Sequence, residues 1–152
     1  MKPTTPWLTA LLCLTASAAA GCATTAEVDP AETFPEPASV ERLAAGSGLH
    51  RVTVTPRAAD RLGISAVPVR PVSDDRGTAA RTIVPYAAVL YGPKGATWVY
   101  IERASLQYTR HRVTVEHISG GHALLSSGPP VGTLVVNVGA MELFGAEFGV
   151  DH

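Results

Sequence analysis

The residues best able to do chemistry are five histidines, two cysteines and a few scattered carboxylates and hydroxyls in a chain of 152 residues. Histidine is the commonest metal ligand among side chains. His111 and His117 fall on one face of an alternating run. Six residues of strand separate them by roughly 20 Å, too far to share an ion unless the chain bends. His117 and His122 flank Gly120-Gly121 and can meet across a hairpin, but two ligands make only a weak site. Ser126, Ser127, His122 and Asp151 have the residue types of a nucleophilic triad, yet no Gly-x-Ser-x-Gly elbow supports one. Glu142 and Glu147 are too isolated for paired-carboxylate chemistry. No phosphate loop of the Gly-x-x-x-x-Gly-Lys type is present, so Gly120-Gly121 reads as a turn. A net charge of −1 and 6% aromatic residues leave neither a basic field nor stacking platforms for nucleic acid. The residues therefore predict a binding chain without a catalytic centre or cofactor.

The cysteines carry a different message. Cys13 and Cys22 both lie near the N-terminus, so the rest of the chain has no internal disulfide and no cysteine metal knuckle. Lys2 is followed by an apolar run from Trp7 to Ala20, which at about 14 residues is too short to cross a bilayer. One cation, a short apolar run and then small residues make a secretory signal over residues 1–21. Ala19-Ala20-Gly21-Cys22 resembles a bacterial lipobox, in which the cysteine is lipidated and becomes the first mature residue. Ala19 departs from the leucine usual there; ordinary cleavage after Ala18-Ala19-Ala20 is the alternative. Lipidation at Cys22 would anchor the chain to the extracytoplasmic face of a cell membrane. Residues 22–48, with Pro30, Pro35, Pro37 and several acidic residues, read as a disordered tether.

The folded unit is expected over residues 49–149. Its pattern predicts a mainly β fold, a small sandwich or partly open barrel of about six to eight strands with one short helix. Thr55-Pro56 opens that helix and Gly63 ends it. Pro68 and Pro71 place the extended run from Ile64 to Val72 at an edge. Residues 73–80 form a polar turn. Gly92-Pro93-Lys94-Gly95 punctuates a hairpin, after which Trp98 and Tyr100 share one face of the strand and Val99 and Ile101 the other. Lys94 at that tip reads as a solvated gatekeeper. Residues 108–118 are the longest alternating run, Leu134 to Val138 is a buried-strand candidate, and the stretch from Met141 to Phe148 suits a terminal helix or turn. The hairpin positions Gly92, Lys94, Gly120 and Gly121 are the candidate partner contacts.

Several of these segments together resemble a known family. Val84-Pro85, Ala88-Val89-Leu90, a glycine-rich turn and Trp98-Val99-Tyr100 come first. Arg112-Val113-Thr114-Val115, Gly120-Gly121, Leu124-Leu125-Ser126-Ser127-Gly128 and Val135-Val136 follow in order. This succession, with the ending from Gly139 to Gly149, is similar to the C-terminal part of periplasmic adaptor proteins, or membrane fusion proteins, of RND and heavy-metal efflux systems. Val52-Thr53-Val54-Thr55-Pro56 and Arg61-Leu62-Gly63-Ile64 resemble the first strand and helix of the same part. The resemblance implies that both stretches fold together as a membrane-proximal domain touching a transporter subunit during transmembrane export. It departs from full adaptors in one respect: only residues 73–80 stand where those carry a barrel, a lipoyl domain and a helical hairpin. A metal-binding lipoprotein using His117 and His122, or a truncated adaptor remnant, are the alternative readings.

Overall fold

The computed structural model describes residues 36–72 and 81–149. The signal segment, Cys22, the first part of the tether, the turn at 73–80 and Asp151 lie outside those residues. The mainly β expectation is what the structure shows, with ten strands and two α-helices among the described residues. In chain order the strands are β1 (Ala38–Arg42), β2 (His50–Val54), β3 (Ser65–Pro68), β4 (Arg70–Val72), β5 (Arg81–Pro85), β6 (Leu90–Tyr91), β7 (Thr97–Ala104), β8 (Gln107–Ser119), β9 (His122–Ser127) and β10 (Leu134–Val138). The helices are α1 (Pro56–Leu62) and α2 (Ala140–Phe148).

Seven strands follow one antiparallel path, β3-β10-β7-β8-β9-β5-β4, and this path nearly closes on itself. Closure comes from the extended run of residues 65–72. Its first half, β3, pairs with β10, and its second half, β4, pairs with β5. Val69 makes the corner, with its N–H donating to the Thr133 carbonyl and its own carbonyl accepting from Gly132 N–H, both at 2.9 Å. Each half has a single strand neighbour, so Pro68 and Pro71 sit in edge positions, where a missing donor is tolerated. The looser seam is between β10 and β7, where the only registered pair is Val135 with Ile101.

Alternation then sorts side chains into two cores. Val99 and Ile101 of β7, Val113 of β8, Ala123 and Leu125 of β9 and Val135 of β10 fill the barrel. Tyr100 of β7, Tyr108 of β8 and Val136 of β10 face the other way, into a second core covered by β2, α1 and α2. The middle of β10 is therefore buried on both faces: the adjacent Val135 and Val136 are fully buried, one in each core. Helix α1 is capped as its residues dictate. Thr55 accepts from the Ala58 N–H at 3.2 Å, and Gly63 ends the helix at φ 62. Gly139, which precedes α2, has φ 86, and a Cβ there would lie 2.7 Å from Ile64 Cγ1. Glycine is required there both by its φ and by the space.

Two expectations need correction. The tether does not run to residue 48: Ala38–Arg42 pairs antiparallel with β2, and Ala38 and Val40 pack against the second core. The folded unit therefore begins about a dozen residues earlier than 49. The segment from Met141 to Phe148, expected as a terminal helix or turn, takes the helical form as part of α2. The register of β8 shifts between Thr114 and Val115 and again between Val115 and His117. The second shift turns the strand over. Val115 faces the barrel opposite Leu125, but past the shift it is Ile118 that lies opposite the buried Ala123. His117 thus leaves the face that His111 shares with Val113.

Candidate functional site

The most concentrated polar chemistry lies beneath α2. Ala140, Leu143 and Glu147 are the buried residues of this helix, at the three- and four-residue spacing of one helical face. That spacing drives a carboxylate into an apolar layer, where an unpaired charge costs several kcal/mol. The Glu147 side chain is fully buried, and its neighbours compensate it completely. Arg110 Nε donates to Oε1 and Oε2 at 2.9 and 2.8 Å. The Tyr100 hydroxyl donates to Oε2. His50 Nδ1 lies 3.0 Å from Oε1.

Strand geometry brings these donors together. Tyr100 and Arg110 are directly opposite in the β7–β8 ladder, so both point to the α2 side. The Arg110 guanidinium is further held between two rings, 4.8 Å from the Trp98 centroid and 4.6 Å from that of Phe148. Its outer nitrogen donates to the Gly48 carbonyl at 2.7 Å. One cation therefore ties the helix, the sheet and the loop before β2 to each other. His50 is the cluster's partly open member, with 22% of its side chain exposed. It opens on a cleft of about 560 Å³ between β1 and the end of α2, lined by Glu36, Arg42 and Phe148 among others. Since the buried carboxylate has its hydrogen bonds filled, this cluster is built to hold position.

Burial pushes the Tyr100 hydroxyl well above the ordinary phenol range; its bond to Glu147 and that carboxylate's charge add to the rise, and Arg110 opposes it. A group whose folded pKa is raised stabilises fully below its unfolded pKa and loses that contribution as pH climbs. Unfolding free energy is therefore expected to fall from about pH 10 upward, the ordinary phenol value. Tyr108 is also raised, by burial and by Glu102, and adds to the same slope. Tyr100→Phe is expected to flatten the slope in part and to cost about 1.5–3 kcal/mol at neutral pH, the worth of a bond to a charged group. Urea melts on either side of pH 10 measure both effects.

The histidine pair lies elsewhere. His117 stands opposite Leu124 and His122 opposite Ser119, so they are diagonal neighbours on one outward face of the β8–β9 hairpin. Both ring nitrogens of His122 are engaged. Nδ1 lies 2.9 Å from the Gly120 carbonyl, which requires Nδ1 to donate, and Nε2 lies 3.4 Å from the Arg70 guanidinium. A cation is thus seated where a metal would bind. Among the described residues no group of three or more His, Cys, Asp or Glu could hold an ion.

The partner-contact candidates are all turn residues. Gly120 and Gly121, at φ 54 and 75, form the two-residue turn of the β8–β9 hairpin. Lys94, at φ 61, and Gly95, at φ 73, form the tip between β6 and β7. A Cβ on Gly92 would lie 3.1 Å from Trp98 Nε1, so Gly92 lets the indole lie against the backbone and is not a free contact. Gly95 of this tip borders a second open cleft of about 560 Å³, whose lining includes the exposed Tyr91 and Ile118 together with Arg112 and His117.

The sequence alone points to neither Arg110 nor His50 and leaves Glu147 isolated. The spacing of Glu147 from Leu143 and Ala140 is the available signal for a buried acid, but its three donors come from distant parts of the chain. The fold and this cluster define a small mainly β, barrel-like domain clasped by a buried ion pair. The chain matches no protein-family model, no curated protein and no solved structure.

Proposed function

We propose that this chain is a lipid-anchored extracytoplasmic binding module without a reaction of its own, which contacts a transporter subunit as an accessory to export. The reading rests on the adaptor resemblance and on one structural observation that supports it. The flanks of residues 73–80 are hydrogen-bonded neighbours: Arg70 opposite Ile83, Pro71 opposite Thr82 and Val72 opposite Arg81. Both stretches that carry the resemblance belong to one sheet, and a short link replaces whatever a full adaptor inserts there. What remains exposed is suited to touching another protein, with two glycine-bearing hairpin tips and the cleft between Tyr91 and Ile118.

The test is site-specific photo-crosslinking in intact cells, with the probe replacing Lys94 in one variant and His117 in another. Each is expected to capture an integral-membrane transporter subunit, identified by mass spectrometry. Lys94→Glu, read through the His117 probe, is expected to lower the yield several-fold, because rim charges act mainly on association rate. Recovery of no transporter from either position would refute the reading.

A further inference from the structure

Strand β1 is an edge with one partner. Its Pro37 carbonyl accepts from Thr55 N–H at 3.0 Å, and Leu43 N–H donates to Leu49 at 3.1 Å, both toward β2. Backbone groups alternate sides along a strand, so residues 37, 39, 41 and 43 face β2, and the N–H and C=O groups of Ala38, Val40 and Arg42 face outward. No other strand among the described residues pairs with them. The only proline of the stretch, Pro37, has its missing donor on the β2 side, so nothing interrupts the outer row. Such a row is a template for another strand.

The side chains along this edge select the occupant. Ala38, Val40 and Arg42 share one side of β1, and with Glu36, two residues before the strand, they line the cleft beside α2. In chain order the four read acidic, small, apolar, basic. Glu36 and Arg42 are exposed, and neither has an ion-pair partner among the described residues. This order is self-complementary when the strand meets its own copy running the opposite way. With Ser39 opposite the second copy's Ser39, Ala38 falls opposite Val40 and Glu36 opposite Arg42, each twice. The outward-facing groups are then in register as hydrogen-bonded pairs, and the two copies are related by a twofold axis. We infer that two copies of this chain dimerise through antiparallel β1–β1 pairing, with reciprocal Glu36–Arg42 ion pairs at both ends. This goes beyond the transporter contact and does not depend on it, since the hairpin tips and the Tyr91–Ile118 cleft are built from other elements.

The Ser39 positions supply the test. Directly opposed residues in a non-hydrogen-bonded pair have Cα atoms roughly 4.5 Å apart, within disulfide range. The full-length chain carrying Ser39→Cys, expressed with its own signal in an oxidising extracytoplasmic compartment, is expected to run as a covalent dimer on a non-reducing gel, with the unsubstituted chain as the control that stays monomeric. Adding Glu36→Arg or Arg42→Glu places like charges opposite each other at both ends and should cut the dimer band by roughly fivefold or more. Combining the two reversals restores opposite charges and should restore the band. Both residues are exposed, so neither reversal threatens folding. A monomeric Ser39→Cys chain overturns the inference, as does a dimer band that ignores the single reversals or one that the double reversal fails to recover.

Discussion

Glu147→Ala is expected to destabilise the domain by about 3–5 kcal/mol, the cost of removing one partner from a buried ion pair. The loss has little to do with the volume removed. It comes from the groups left behind: an Arg110 side chain only 8% exposed, fixed between Trp98 and Phe148, whose carboxylate has gone. Tyr100 and His50 lose their acceptor as well. Trp98 lies beside the guanidinium and is the fluorescence reporter for urea unfolding. With a slope of about 1.5 kcal/mol/M, the midpoint should fall by about 2–3 M. Arg110→Met leaves a buried carboxylate that can escape by taking up a proton, so that variant should be milder at acid than at neutral pH. The double variant Arg110→Met with Glu147→Leu should recover part of the loss, because an apolar pair no longer strands a charge. A Glu147→Ala cost near 1 kcal/mol would mean that water reaches the pair and that α2 is not clasped in the way described.

The contrast between this cluster and the rest of the fold explains why some features are legible in the sequence and others are not. Local rules work where the deciding interaction is local. Thr55, Pro56 and Gly63 bound α1 because a cap needs only its own turn. Trp98 and Tyr100 separate from Val99 and Ile101 because pleating alone sets strand faces. Gly120-Gly121 turns because few other residues accept two successive positive φ values. Strand β1 is hidden because its flanking prolines and acids resemble a linker, whereas its pairing depends on β2 and on a half-covered core face. The turnover of β8 is hidden because the extra residue of a bulge leaves no mark on an alternating pattern. Arg110 and Glu147 stand 37 residues apart, and only the packing of α2 on the sheet reveals why each tolerates burial.

Cys22→Ser is expected to abolish incorporation of labelled fatty acid and to move the exported chain from the membrane pellet to the soluble extracytoplasmic fraction. Two acyl chains on Cys22, at about 0.8 kcal/mol per buried methylene, would supply on the order of 20 kcal/mol of anchoring, against a marginal hold for one chain. Among the described residues no helix is long and apolar enough to cross a membrane, so none of them offers a spanning helix as a substitute anchor. A native chain that carries no label and begins at Gly21 would identify simple secretion after Ala20 and remove the lipid. The early start of β1 also shortens the leash. From Cys22 to Glu36 the chain has 14 steps (36 − 22), which at roughly 3.3–3.6 Å each reach at most about 50 Å. Copies anchored by a lipid on Cys22 would be confined to a thin layer, and such confinement raises the effective concentration of one β1 edge at another. Ser39→Cys crosslinking should therefore fall when Cys22→Ser is added at equal expression. The charge-reversal pattern should survive in the remaining dimer, because the complementarity resides in β1 and the anchor only brings its copies together.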